Sequence, residues 1–188
     1  MRGRDKTLEP VDGEPLLRRV VKAAAASKAA RTHVVLPPDA AGRIEAISGL
    51  DVPFVVAADA HTGMAASLRR GMEEVDPKAA GVLVLLADMP EITTRHIDQF
   101  IERFDGMDPT AVLRGSDQTG TPGHPVLIGA AHFEDLFAVT GDEGARSILK
   151  DADVTLVPLH GSAATTDLDT PEDWVNWRAQ TRDGRSST

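Results

Sequence analysis

The chain has 188 residues, 41% of them apolar and 26% charged, which suits a single soluble globular domain with a real core, and its formal charge of −9, with no Lys/Arg-rich stripe to offset it, disfavours binding to nucleic acid. An anionic substrate therefore needs a local cation, and the absence of cysteine excludes disulfides and thiolate-bound metals. No apolar run approaches the ~20 residues of a membrane span and no signal-type segment follows Met1-Arg2-Gly3-Arg4, so the chain reads as cytoplasmic and without a membrane partner.

In chain order, helical and strand-like segments alternate, which predicts an α/β domain with a mostly parallel sheet covered by helices. Leu16, Leu17, Val20, Val21 and Ala24 have helical spacing within a helix expected over 13–30. A strand over 32–36 closes at Pro37-Pro38; a short helix over 40–47, a strand over 53–57 and a helix over 62–75 follow. Val82-Leu83-Val84-Leu85-Leu86-Ala87-Asp88 reads as a strand buried on both faces, with Asp88 at the carboxyl edge of the sheet, where ligands of open α/β sheets bind. Thr93 and Thr94 are N-cap candidates for a helix ending near Phe104. Two strands, 110–113 and 125–128, flank a Gly/Thr/Pro-rich loop over 115–125; a helical turn over 144–150 and a strand over 154–159 come next. The last helix is expected over 171–179, with Thr170 as N-cap and Pro171 at its first position, and 181–188 as a disordered tail after a domain over 1–180.

Four constellations carry chemistry. Arg2-Gly3-Arg4-Asp5-Lys6 puts three cations and a glycine ahead of a helix, a composition suited to cradling phosphates, although a charged free terminus has the same composition. Asp88 and the pair Asp167/Asp169 are acids where one element meets the next, and a hard cation such as Mg²⁺ takes one or two carboxylates plus substrate phosphates. Asp169 equally suits a cap of the last helix. Gly120-Thr121-Pro122-Gly123-His124-Pro125 is a stiff loop presenting one imidazole, a candidate ligand contact. In His61-Thr62-Gly63-Met64-Ala65-Ala66-Ser67, small residues open a helix whose N–H groups and Ser67 hydroxyl could meet a ligand or only allow close packing.

In this order the segments resemble the MobA-like nucleotidyltransferases, and within them the molybdenum cofactor cytidylyltransferases. Met1-Arg2-Gly3-Arg4-Asp5-Lys6 is similar to the end of the family's nucleotide loop. Further matches are Gly63-Met64-Ala65-Ala66-Ser67-Leu68, Leu86-Ala87-Asp88-Met89-Pro90, Gly123-His124-Pro125-Val126, Thr140-Gly141-Asp142-Glu143-Gly144-Ala145-Arg146 and Asp167-Leu168-Asp169-Thr170-Pro171-Glu172-Asp173. The resemblance implies a Rossmann-like three-layer fold of the nucleotide-diphospho-sugar transferase type. It implies Lys6 and Asp88 as catalytic residues, Mg²⁺ held by Asp88, Asp167 and Asp169, and substrate contacts from Arg2, Gly3, Ser67, Pro90 and His124. The implied reaction moves an NMP group from an NTP, CTP before GTP, to a phosphorylated acceptor such as molybdopterin, with a molybdoenzyme or chaperone as protein partner. A sugar or methylerythritol phosphate is the alternative acceptor, and a non-catalytic binding protein the alternative class.

The family's first strand and the Gly-rich half of its nucleotide loop have no counterpart before Met1. The expectation is therefore a sheet lacking its first strand, a natural reading frame that begins upstream, and weak NTP binding by the chain as it stands.

Overall fold

The computed structural model describes residues 5–141 and 146–185. A 3₁₀ turn at Lys6–Leu8 leads into a hairpin of two short strands, β1 (Pro10–Val11) and β2 (Glu14–Pro15), and then helix α1 (Leu16–Ala25). The helix starts at Leu16 rather than near Gly13 because Asp12 and Gly13 have φ of 51° and 86°, the backbone of a two-residue hairpin turn that Asp-Gly adopts readily. The chain continues through β3 (Val34–Leu36), α2 (Ala41–Ile47), β4 (Phe54–Val56), α3 (Met64–Met72), β5 (Gly81–Val84) and α4 (Thr94–Phe104). It ends with β6 (Val112–Ser116), β7 (Pro122–Gly129), α5 (Phe133–Ala138), α6 (Arg146–Asp151), β8 (Val154–Pro158) and α7 (Pro171–Arg185).

The strands form a parallel pair, β3–β4, and a four-stranded sheet in the order β5-β7-β6-β8. The expectation of a mostly parallel sheet is corrected here. β7 runs antiparallel to both β5 and β6, and only β3–β4 and β6–β8 are parallel. The cause is the connection between β6 and β7: a tight turn, pinned by Asp117 Oδ1 accepting from the N–H groups of Thr119 and Thr121, is far too short for the crossover that parallel neighbours need. The loop expected over 115–125 thus shrinks to that turn. The parallel pair and the larger sheet share no ladder among the described residues.

Alternation along the strands separates the layers. Leu113 of β6 and Leu127 of β7 point to the face covered by Ile97 and Phe100 of α4, while Val112, Val126 and Ile128 meet Met72 of α3, Leu136 of α5 and Ile148 of α6 on the other. This is a three-layer α/β/α arrangement, as expected. Strand β5 is shorter and less buried than its sequence suggests: it ends at Val84, all four residues are partly exposed, and Asp88 lies in the turn beyond. With β7 on one edge and no ladder on the other among the described residues, β5 lacks the two-sided pairing of a central strand. Thr93 caps α4, its Oγ1 accepting from the N–H of His96. Helix α5 has no counterpart in the expected elements, and α7 continues to Arg185, beyond the expected end at Ala179. No helix among the described residues is long and apolar enough to cross a membrane.

Candidate active site

One apolar cluster explains how distant segments meet. Val11 of the hairpin, Leu16 and Val20 of α1, and Leu168 and Trp174 at the start of α7 are each at most 5% exposed and pack together, with Leu85 beyond β5 against them. Each of these apolar residues stands a few positions from an ionisable one: Val11 from Lys6, Leu85 from Asp88, Leu168 from Asp167 and Asp169. Burying the first set therefore brings the second together at the rim of the cluster.

There, Lys6 Nζ lies 2.6 Å from Asp88 Oδ2, 2.6 Å from Asp169 Oδ1 and 3.7 Å from Asp167 Oδ1. Burial works to strip the proton from Lys6, but the hydrogen bonds to Asp169 and Asp88 outweigh it and hold the ammonium well above the ordinary lysine range. The paired acids diverge. Burial pushes Asp167 up, and the negative charges of Asp169 and Asp88 add to it against the attraction of Lys6. The hydrogen bond from Lys6 pulls Asp169 down.

The backbone around these groups is tied in place. Burial raises the Asp5 carboxyl, yet bonds from Arg43 Nε at 2.6 Å and from the Thr7 N–H and hydroxyl at 3.0 and 2.7 Å leave it below its ordinary value, and they fix the turn that carries Lys6. After Asp88, the buried Pro90 offers its carbonyl to Arg19 Nε at 3.2 Å. Glu91 Oε1 accepts from Trp177 Nε1 at 2.9 Å and from the Thr166 hydroxyl at 3.0 Å, which links the Asp88 turn to the segment holding Asp167. The cap of α7 is Thr170: its Oγ1 accepts from the N–H of Asp173 at 3.1 Å, and its own N–H donates to Asp173 Oδ2 at 2.7 Å. Asp169 does not serve as that cap; its carboxylate faces Lys6.

Lys6, Asp88, Asp167 and Asp169 are thus brought together. Ser67 is half-buried on α3 and His124 half-buried on β7; the acids around Lys6 converge without them. Arg2 and Gly3 lie outside the described residues, as do Asp142 to Ala145 of the Thr140–Arg146 match. Sequence reasoning missed the supporting residues Arg19, Arg43, Glu91, Trp174 and Arg178. The signal available for one of them was the pair Trp174 and Trp177, the chain's only two tryptophans, three residues apart just after two acids.

Three carboxylates around one ammonium, beyond the end of a sheet strand, define an acidic rim on a three-layer α/β domain, at the edge where ligands of open α/β sheets bind. The MobA-like NTP transferase domain matches residues 1–156, and the chain belongs to that family. It is 27% identical over 123 residues to the purine catabolism protein PucB of Bacillus subtilis, a match that covers 63% of this chain and 58% of PucB. The Rv0371c protein of Mycobacterium tuberculosis, solved in complex with manganese, superposes with a TM-score of 0.78 at 25% identity, covering 93% of this chain and 91% of that one. A nucleotidyl transferase from Methanothermobacter, with a TM-score of 0.75, 23% identity and coverage of 93% and 84%, shares the fold.

Proposed function

We propose that this protein transfers a nucleotidyl group from an NTP to a small phosphorylated acceptor and releases pyrophosphate. The observation that carries the reading is the convergence of Asp88, Asp167 and Asp169 on the Lys6 ammonium. The donor set suits a divalent ion in its chemistry but not in its present spacing. It is all hard oxygen, and the ammonium already stands as a cation among the acids, although among the described residues no three acidic or imidazole groups are close enough to hold an ion unaided. The manganese bound by the Rv0371c relative supports the same assignment. When bound, such an ion neutralises charge on the reacting phosphates.

The chain's own residues do the rest. Asp88, Asp167 and Asp169 would hold the ion, and Lys6 would neutralise the triphosphate. Arg2 and Gly3 precede Lys6 in the phosphate-binding segment, and Ser67, Pro90 and His124 are assigned to the substrate pocket. An acceptor phosphate oxygen forms a bond to the α-phosphorus while the bond from that phosphorus to the bridging oxygen of pyrophosphate breaks. No protein nucleophile is required; positioning and charge neutralisation supply the rate. The finer reading takes CTP before GTP as donor and molybdopterin as acceptor, with a molybdoenzyme or its chaperone receiving the product.

The test is pyrophosphate release from each of the four NTPs with Mg²⁺, with and without molybdopterin, in the chain and in Asp88→Asn. Release with CTP or GTP that needs the acceptor, and that falls on the order of 10²- to 10³-fold in the variant, is the expected result. Absence of release under every combination would leave a binding protein, and unimpaired turnover in Asp88→Asn would remove Asp88 from the mechanism.

A further inference from the structure

We propose that, within the nucleotidyl-transfer reading on which this rests, Glu91 is a positioning residue: its carboxylate, oriented by the Trp177 indole, holds the Thr166–Asp167 segment at a set distance from Asp88. Glu91 lies three positions after Asp88, and Thr166 immediately precedes Asp167. One oxygen, Glu91 Oε1, accepts both the Thr166 hydroxyl at 3.0 Å and Trp177 Nε1 at 2.9 Å. A single atom thus joins the two acid-bearing segments across 75 positions of chain.

Both sides of the link are anchored. Met89 and Ile92, 4% and 1% exposed, flank Pro90 and Glu91, and the Pro90 carbonyl accepts from Arg19 Nε at 3.2 Å, so Glu91 and Asp88 belong to one fixed turn. On the far side, Asp167 stands between two held neighbours: the Leu168 carbonyl accepts from Trp174 Nε1, and the Thr166 hydroxyl donates to Glu91. Trp174 and Trp177 meet edge to face with 6.1 Å between ring centres, so α7 supplies both indoles as one packed unit. Asp167 Oδ1 is 3.7 Å from Lys6 Nζ, a looser contact than the 2.6 Å of Asp88 and Asp169, so its place depends more on the backbone that carries it.

The Thr166 hydroxyl has one proton and three acceptors within reach: Glu91 Oε1, the Ser162 carbonyl at 2.9 Å and Ser162 Oγ at 3.1 Å. A carboxylate is the strongest acceptor of the three. Without Glu91 the proton turns to Ser162, and the Thr166 N–H keeps its own bond to the Ser162 carbonyl at 2.8 Å. Water serves the half-buried Trp177 indole in place of the carboxylate. Removing the Glu91 carboxylate therefore costs the fold little, because each donor finds another acceptor. What it cuts is the tie between the Asp88 turn and the Asp167 segment, which sets a positioning role apart from a structural one.

The test is steady-state pyrophosphate release by the full chain with each of the four NTPs, Mg²⁺ and molybdopterin, in the wild type, Glu91→Ala, Glu91→Gln, Thr166→Val and the double variant Glu91→Ala/Thr166→Val. Glu91→Ala is expected to lower kcat about ten- to hundredfold, the scale of a misplacement near 1 Å, while its thermal midpoint stays within about 4 °C of the wild type. Glu91→Gln, whose amide oxygen still accepts, should recover most of the rate. Thr166→Val, which leaves the Glu91–Trp177 bond in place, should lose as much as Glu91→Ala, and the double variant no more than either. Should Glu91→Ala not fold, Thr166→Val against the wild type reads the same link, and unimpaired turnover there overturns the proposal. It is overturned equally by a Glu91→Ala loss no larger than its unfolded fraction, by a Glu91→Gln as slow as Glu91→Ala, or by losses that multiply in the double variant. A wild type that releases no pyrophosphate with any NTP removes the transfer reading and this role with it, whereas an active wild type and an unimpaired Glu91→Ala remove only the role of Glu91.

Discussion

The indole N–H of Trp174 donates to the carbonyl of Leu168 at 3.1 Å, and Leu168 is the residue that separates Asp167 from Asp169. Both partners are 2% exposed, so the bond is sheltered from water and fixes the backbone from which the two acids project. The Arg178 guanidinium lies over the Trp174 ring at 5.0 Å and donates to the Pro10 carbonyl at 3.2 Å, tying this arrangement to the segment just after Lys6.

Trp174→Phe keeps most of the apolar volume but leaves the Leu168 carbonyl buried without its donor. The expected loss is about 1–3 kcal/mol in urea unfolding, accompanied by weaker Mn²⁺ binding because the acids lose their fixed backbone. Unchanged metal affinity in a destabilised variant would separate the bond from the site.

Asp5 sets a pH dependence of known sign. Its folded carboxyl lies below the ordinary value, so the folded state binds that proton less readily than the unfolded chain. The contribution is present above the unfolded value of about 3.9 and is lost as pH falls through the lower folded value. Asp5→Asn should therefore be less stable than the wild type at neutral pH, with the gap closing below about pH 4. Urea midpoints across the acid range give the measurement.

Asp167 has the opposite sign. Burial and its acidic neighbours raise its carboxyl, so the folded state holds that charge at a cost near neutral pH and gains relative stability as pH falls toward the raised value. Asp167→Asn is expected to match or exceed the wild type in thermal stability while binding Mn²⁺ less tightly. A loss of stability in this variant would show that its carboxylate is needed for packing instead.

Gly123 is a backbone-contact position. A Cβ there would stand 1.8 Å from the Ala164 carbonyl oxygen, while the next residue, His124, donates its N–H to that same oxygen at 2.8 Å. Gly123→Ala must push the β7 end away from the loop leading to Asp167. The expected cost is about 1–3 kcal/mol, or roughly 2–12 °C in Tm by calorimetry.

Phe100 is 0% exposed and fills the layer between α4 and the sheet, whereas Val175 on α7 is 65% exposed. Phe100→Ala should cost about 3–5 kcal/mol, and Val175→Ser should stay within about 0.5 kcal/mol of the wild type. The contrast is read from chemical unfolding of both variants.

Local patterns carried most of the element assignments. The Thr93 cap, the Thr170-Pro171 helix start and the apolar spacing of α1 are set by residues within a turn or two of one another, so they are visible in a linear reading. Strand β5 shows the limit of that reading. Its apolar run is the same whether one edge or both are paired, and the partner on its ladder, β7, comes some forty positions later in the chain. The direction of β7 likewise depended on how tightly Asp117 closes the preceding turn.

The sequence by itself determined the alternation of helices and strands, the family and the identity of the acids worth watching, because short-range periodicity and spaced motifs record those things directly. Only the tertiary structure decided that Lys6 rests on Asp169, 163 positions away, and that Trp174, Glu91 and Arg19 hold the surrounding backbone. The reason is physical: such meetings are fixed by which apolar side chains share one cluster, and that choice is made by the packing of the whole chain rather than by any stretch of it.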